Sequence, residues 1–197
     1  MKKVLPLLII LLTAALIWVG FFWNPSEQGH AISQGSHNLP KGGDFNLKTA
    51  DGPINLKSFQ GKVLLIYFGY TWCPDVCPTN LAMMAGALGQ LKDNEKDKVQ
   101  GLFVSVDPQR DTVERLKEYT AFFHETIIGA TTDAKSINEV ATRYGSIYRK
   151  VQQDSATDYV VDHSSETYVV NPDGELVERL PHGASPEQIL TSVRKLL

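Results

Sequence analysis

The chain has 197 residues, a formal net charge of −3 and a hydrophobic share of 43%. This length allows one membrane anchor and one globular domain of ordinary size. The slightly negative charge, without a basic stripe, argues against a nucleic-acid-binding function. The chain contains only two cysteines, four positions apart, so they form a local chemical pair and not the framework of a disulfide-stapled domain.

The N-terminus predicts an uncleaved membrane anchor over residues 1–23. Two lysines precede an apolar run from Val4 to Trp23. About 20 apolar residues match the thickness of a bilayer core, whereas the apolar region of a cleavable signal peptide has roughly 7–15 residues. The lysines predict a cytoplasmic N-terminus, which places the rest of this single-pass protein on the extracytoplasmic side of a cell membrane, in an oxidising compartment. The polar residues 24–42 predict a flexible tether.

Residues 43–197 alternate between strand and helix patterns, which is typical of an α/β layered fold. The predicted elements, in chain order, are a hairpin around Asp51-Gly52, a buried strand Val63–Tyr70, a helix with Leu81, Met84, Leu88 and Leu91 on one face, a strand Leu102–Val106, a helix opened by Asp111-Thr112, a helix carrying Ile137, Val140, Ala141 and Tyr144, a hairpin around Asn171–Gly174, and a last helix opened by Ser185-Pro186-Glu187. This order predicts a thioredoxin-like fold with an added N-terminal β-hairpin.

The two cysteines lie where the central strand passes into the first helix, within Thr71–Pro78. The free N–H groups and partial positive charge of a helix N-terminus favour the thiolate, which is both a nucleophile and a metal ligand. Pro74 fits the first helical position, and Pro78 indicates that regular helix starts only near it. Residues i and i+4 of a helix have Cβ atoms about 5–6 Å apart, whereas a disulfide needs about 3.8 Å, so the spacing favours chelation without forbidding oxidation.

A third ligand is predicted at His163, in the loop before the strand Thr167–Val170, because that loop faces the start of the first helix in a thioredoxin-like fold. Two thiolates and one imidazole suit Cu(I), and can bind Cu(II) with an added oxygen, whereas structural zinc takes four ligands. The residues alone leave a metal site, a redox dithiol and a structural disulfide open. For Asp107, Arg110 and Asp111, bracing of a loop, with Asp111 capping the next helix, is favoured over a direct functional role.

Three segments resemble the signatures of the Sco/SenC family of copper proteins. They are Phe68–Pro78, Val106–Thr112 and Asp162–Ser164. The resemblance extends over nearly all of residues 43–197. One departure is Gly129-Ala130-Thr131, which stands where the family has a more glycine-rich turn.

The resemblance implies a thioredoxin fold that binds one copper ion per chain, as Cu(I) or Cu(II), through Cys73, Cys77 and His163. It also implies a metallochaperone that assists assembly of the dinuclear copper centre of cytochrome c oxidase subunit II, with a copper donor protein and a thioredoxin-like reductant as further partners. Some family members act instead as thiol-disulfide reductases, for which Cys73 and Cys77 would be the redox-active catalytic pair. Both hypotheses use the same thiols; a peroxidase is the weakest alternative, because it gives no role to His163.

Overall fold

The computed structural model of the protein describes residues 12–13, 18, 40–152 and 159–197. Of the predicted anchor, residues 1–23, only residues 12, 13 and 18 lie within these ranges, and of the predicted tether, residues 24–42, only residues 40–42 do. Within the described ranges, we find no helical segment with the length and hydropathy of a membrane span. Leu39–Leu197 form one compact unit.

The helices and strands of this unit follow one another as expected for a layered α/β fold. They are β1 (Asn46–Thr49), β2 (Gly52–Asn55), a 3-10 turn (Leu56–Phe59), β3 (Val63–Gly69), α1 (Val76–Leu88), α2 (Asp93–Lys96), β4 (Val99–Ser105), α3 (Val113–Phe123), β5 (Ile127–Ala130), α4 (Ala134–Tyr144), β6 (Tyr148–Gln152), β7 (Tyr159–His163), β8 (Thr167–Val170), β9 (Leu176–Leu180) and α5 (Pro186–Arg194). The main sheet has five strands in the order β5-β4-β3-β8-β9. Strands β1 and β2 form the predicted hairpin.

Strand β3 is the centre of the main sheet, and all its residues are buried. It pairs in parallel with β4 on one side and antiparallel with β8 on the other. A continuous apolar run is expected for a strand that is covered on both faces. This confirms the predicted central strand, and it means that the carboxyl end of β3 delivers the chain directly to the segment with the cysteines.

The predicted helices are present, and local capping explains where they begin and end. The side chain of Thr112 accepts a hydrogen bond from Arg115 N and caps α3, while Ser185 forms a capping box at α5. Helix α4 ends at Gly145, whose φ of +72° is the left-handed conformation that glycine adopts without strain.

Several details of the sequence interpretation differ from the structure. Pro74 is not the first helical residue, because α1 begins at Val76 and has Pro78 in its first turn, where the missing N–H costs nothing. Asp111 does not cap α3, since its buried carboxylate is bound elsewhere and Thr112 is the cap. Strand β5, which includes Gly129-Ala130, was not expected. The two-stranded ribbon of β6 and β7 was also not expected, and it places His163 at the end of a strand instead of in a loop.

Candidate metal centre

Neither cysteine forms a disulfide; Cys77 lies in the first turn of α1, and Cys73 lies just before the helix. Cys77 is fully buried, whereas Cys73 is half-buried. The backbone N–H of Cys77 donates to the sulfur of Cys73 at 3.4 Å. This is a helix N-terminal N–H that has no partner within the helix, so the sulfur of Cys73 accepts a hydrogen bond that stabilises its thiolate form.

Gly69, the last residue of β3, makes room for the sulfur of Cys77. A Cβ atom added at Gly69 would lie 2.6 Å from Cys77 Sγ and 2.9 Å from a ring carbon of Phe103. A glycine inside a strand often marks such a close approach. The position of the buried thiol therefore depends on the absence of a side chain at Gly69.

His163 reaches the cysteines from the end of β7, where it pairs with Tyr148 of β6. Its Nδ1 lies 2.9 Å from the carbonyl oxygen of Ser164, and its Nε2 lies 3.2 Å from Cys77 Sγ. A carbonyl can only accept, so Nδ1 donates to Ser164, and Nε2 is the ring nitrogen that faces Cys77. This is the arrangement in which metal-ligating histidines are commonly fixed.

The three predicted ligand residues converge, with donor atoms that all lie within 4.8 Å of one another. Transition-metal bonds to sulfur and to imidazole nitrogen are about 2.0–2.3 Å long, so a small adjustment lets one ion contact all three atoms. Among the described residues, this is the only group of three or more such side chains that could hold a metal. Two sulfurs and one nitrogen fit a soft ion such as Cu(I).

The electrostatics of the pair differ between the two thiols. The side chain of Cys77 is the main cause that lowers the pKa of Cys73 to about 3, in spite of partial burial, and the His163 ring adds to this effect. Burial raises the pKa of Cys77, and the neighbouring charge of Cys73 raises it further. At neutral pH the site therefore holds one thiolate and one thiol, and a metal that takes both sulfurs displaces one proton.

Tyr67 and Asn80 lie buried on the core side of the site, and the sequence interpretation missed both. Burial raises the pKa of Tyr67, and the nearby Cys77 raises it further, so the hydroxyl stays protonated. The Nδ2 of the buried Asn80 lies 3.1 Å from Tyr67 Oη and 2.9 Å from the carbonyl oxygen of Ser165. An amide on the core face of α1, three residues after Cys77, was the available signal, because a buried polar side chain needs partners.

The trio opens into a groove between the start of α1 and β7. Pro74, Val76 and Val160 contribute apolar surface to its walls, and Cys73 and His163 line it directly. A partner molecule can therefore approach Cys73 and His163, whereas Cys77 is reached only through them.

Comparison with known proteins identifies the family. The SCO1/SenC family model matches residues 33–197. The chain belongs to the SCO1/SenC family. This family member is 39% identical over 155 residues to the mitochondrial SCO2 homolog of Bos taurus, an alignment that covers 78% of this chain and 58% of the relative. The chain thus spans little more than half the length of that relative.

Solved Sco structures confirm the thioredoxin-like fold. The copper-bound ScoI of Arabidopsis thaliana has a TM-score of 0.72 and 37% identity, covering 78% of this Sco/SenC protein and 96% of that chain. The protein BsSco, in which a disulfide switch was identified and which is a member of the Sco family of cytochrome c oxidase assembly proteins, has a TM-score of 0.63 and 26% identity, covering 79% of this protein and 92% of that chain.

Proposed function

We propose that this protein is a copper chaperone that binds one copper ion, as Cu(I) or Cu(II), through Cys73, Cys77 and His163. The proposal includes delivery of that copper during assembly of the dinuclear centre of cytochrome c oxidase subunit II. Its main support is the convergence of two sulfurs and one imidazole nitrogen within 4.8 Å. The bound copper in the Arabidopsis relative and the role of the family to which BsSco belongs add to this support.

Each ligand has a distinct part in binding. Cys73 offers a thiolate that is present before copper arrives, because its pKa is lowered to about 3. Cys77 becomes a thiolate only as it gives up its proton, and its buried sulfur anchors the ion beneath the groove. His163 presents its Nε2, and the hydrogen bond from Nδ1 to the carbonyl oxygen of Ser164 sets the orientation of the ring. Binding through one prepared thiolate, with release of one proton, gives a site that loads and unloads with pH.

The test is an anaerobic titration of the reduced full chain with Cu(I). The wild-type protein is expected to bind one ion per chain, and Cys73→Ala to bind none tightly. His163→Ala is expected to bind about 10–100-fold more weakly, because one ligand of three is lost. His124→Ala is the matched control, since His124 bonds only to Thr126 outside the site. Wild-type stoichiometry near zero, or unchanged binding by Cys73→Ala, would refute the copper site.

A thiol-disulfide reductase is the second candidate, favoured by the unequal thiols. The thiolate of Cys73 would attack a disulfide in the oxidase subunit and form a mixed disulfide, releasing one partner thiolate. Cys77, after losing its proton, would then displace the second partner sulfur and form the Cys73–Cys77 disulfide, so that two electrons pass to the partner. The disulfide switch of BsSco favours this chemistry.

His163→Ala separates the two candidates, because it removes a copper ligand and keeps both thiols. In cells that lack the gene, a reductase is expected to restore the copper centre of the oxidase when this variant is supplied. A chaperone is expected to fail unless copper is supplied in excess. Cys77→Ala is the control that must fail in both cases.

The location and remaining partners belong to the same proposal. The apolar run within residues 1–23 supports a single membrane span with the domain on the extracytoplasmic side. In that oxidising compartment, a separate copper donor protein and a thioredoxin-like reductant are needed to load the reduced site. Protease added to intact spheroplasts tests the topology: it is expected to digest residues 40–197, and full protection would refute it.

A further inference from the structure

The buried carboxylates of Asp107 and Asp111 follow β4. One bonds to the segment that carries the cysteines, and the other bonds to the strand that carries His163. Asp111 accepts hydrogen bonds from Thr71 N at 3.0 Å and Thr71 Oγ1 at 2.6 Å, just before Cys73. Asp107 accepts a hydrogen bond from the hydroxyl of Tyr159 at 2.7 Å, on the strand that ends at His163. One short loop therefore contacts both parts of the chain that form the candidate copper site.

The ribbon of β6 and β7 needs such a contact, because it is separate from the main sheet. Among the described strands, β6 and β7 pair only with each other. Ladder hydrogen bonds therefore do not set the position of this ribbon relative to α1, and side-chain contacts must do so. His163 lies at the very end of the ribbon, so any shift of β7 moves its Nε2 relative to the cysteines.

Asp107 contacts both strands of the ribbon on the face that carries His163. Its carboxylate lies 3.5 Å from Lys150 Nζ on β6, in addition to its bond with Tyr159 on β7. Lys150 pairs with Val161, between Tyr159 and His163. Alternate residues of a strand share one face, so Tyr159, Val161 and His163 project to the same side.

Arg110 extends the same contact to the ring against which His163 packs. Its Nε pairs with Asp107, its Nη1 donates to the carbonyl oxygen of Tyr159 at 3.0 Å, and its guanidinium lies 3.7 Å from the Tyr159 ring centroid. The guanidinium is also 5.5 Å from the centroid of Tyr70, whose ring meets His163 edge-on at 5.8 Å. Arg110 thus contacts the ribbon and the aromatic support of the imidazole.

We propose that Asp107 and Arg110 are positioning residues for His163: buried Asp107 and partly exposed Arg110 together fix the β6–β7 ribbon and so decide whether the imidazole joins the two cysteines on copper. This inference rests on the proposed copper site. It also distinguishes the two carboxylates, because Asp111 holds the cysteine segment and has no direct contact with the ribbon among its bonds in the described residues.

The test is a double-mutant cycle on Cu(I) affinity with the full chain. Asp107→Ala is expected to weaken binding about 10–100-fold in the wild-type background and to have less than about a 2-fold effect in the His163→Ala background. Tyr159→Phe removes the hydrogen bond to Asp107 and a longer one from Lys150 but keeps the ring, so it reports the same coupling, at smaller size, if Asp107→Ala fails to fold. Arg149→Ala is the matched control, because Arg149 pairs with Asp162 on the opposite, exposed face of the ribbon.

Two further readouts separate positioning from a general loss of structure. In the metal-free protein, Asp107→Ala is expected to shift the ring ¹⁵N signals of His163, whereas Arg149→Ala leaves them in place. In the Cu(II) form, Asp107→Ala is expected to lose the imidazole nitrogen coupling in pulsed electron paramagnetic resonance and to keep the sulfur-to-copper absorption band. Equal losses of affinity in both backgrounds, or unchanged ring signals, would overturn the inference; a wild-type protein without copper affinity would instead overturn the proposed function.

Discussion

Gly69→Ala is the substitution that most directly tests how the fold prepares the buried thiol. The added Cβ would lie 2.6 Å from Cys77 Sγ, about 1 Å inside an ordinary contact, and 2.9 Å from Phe103. Overpacking of a core costs about 1–3 kcal/mol, while the lower chain entropy of alanine returns about 0.5–1 kcal/mol. We therefore expect the free energy of unfolding to fall by about 1–2 kcal/mol.

The same substitution is expected to weaken copper binding by at least about ten-fold. Metal–ligand distances hold within about 0.2 Å, so a sulfur displaced by about 1 Å no longer reaches an ion placed between Cys73 and His163. Urea unfolding of the reduced metal-free protein measures the first effect, and anaerobic Cu(I) titration measures the second.

Gly101→Ala is the matched control, since Gly101 lies in the neighbouring strand β4. Its added Cβ would meet side-chain atoms of Ile127, Met84 and Leu88, with Ile127 nearest at 3.0 Å, and neither cysteine is among its nearest neighbours. Gly101→Ala is expected to lower the free energy of unfolding less than Gly69→Ala does, and to bind copper as the wild type does. If the free energy of unfolding of Gly69→Ala differs from that of the wild type by less than about 0.5 kcal/mol, which is on the order of measurement error, and its copper affinity is unchanged, the packing argument is wrong.

Three further predictions follow from the site and its supports. The rate at which iodoacetamide alkylates reduced Cys73 is expected to change little between pH 5 and 8, because a pKa of about 3 keeps the sulfur a thiolate. The alkylation rate of an ordinary thiol falls about ten-fold for each unit by which the pH decreases. Cys77→Ala removes the main cause of the low pKa and should restore this ordinary pH dependence. Asp111→Ala leaves Thr71 and Ser105 donors buried without their acceptor and should cost about 3 kcal/mol in urea unfolding, whereas Asp51→Ala, which breaks an exposed pair with Lys117, should cost less than about 1 kcal/mol. Thiol counting after air oxidation should find a Cys73–Cys77 disulfide that binds no copper until it is reduced; free thiols after oxidation would exclude this gate.

The sequence predicts the main layers because their patterns are strong. The apolar run at Val63–Tyr70 has no alternative to a buried strand, and Ser185-Pro186 marks a helix start by its chemistry. Strand β5 escapes prediction because it is short and ends in Gly129-Ala130, residues with little strand preference. Strand β6 is largely exposed and charged, so its position depends on tertiary contacts that no local pattern reports.

The residues of the candidate site likewise divide into those that the sequence predicts and those that it does not. Cys73, Cys77 and His163 were predicted from chemistry and spacing, because few residue types bind a soft metal, and the structure brings them together. The strand that carries His163 was not found, since Val160-Val161-Asp162-His163 is too short to separate from a loop. Gly69 was visible as a glycine inside an apolar strand, a pattern that indicates close approach. The sequence indicated that Asp107 and Arg110 brace a loop, but not their contacts with Tyr159, which lies far along the chain.

The positions of the three candidate ligand residues along the sequence determine how copper binding is coupled to folding. Cys73 and Cys77 remain neighbours even in an unfolded chain, whereas His163 is 86 residues beyond Cys77 and joins them only in the folded one. A ligand that also binds the unfolded state stabilises the native state only by the difference between the two affinities. In the proposed copper site, the bond to His163 is therefore the one that only the folded chain supplies, and its loss is expected to uncouple metal retention from the folded state.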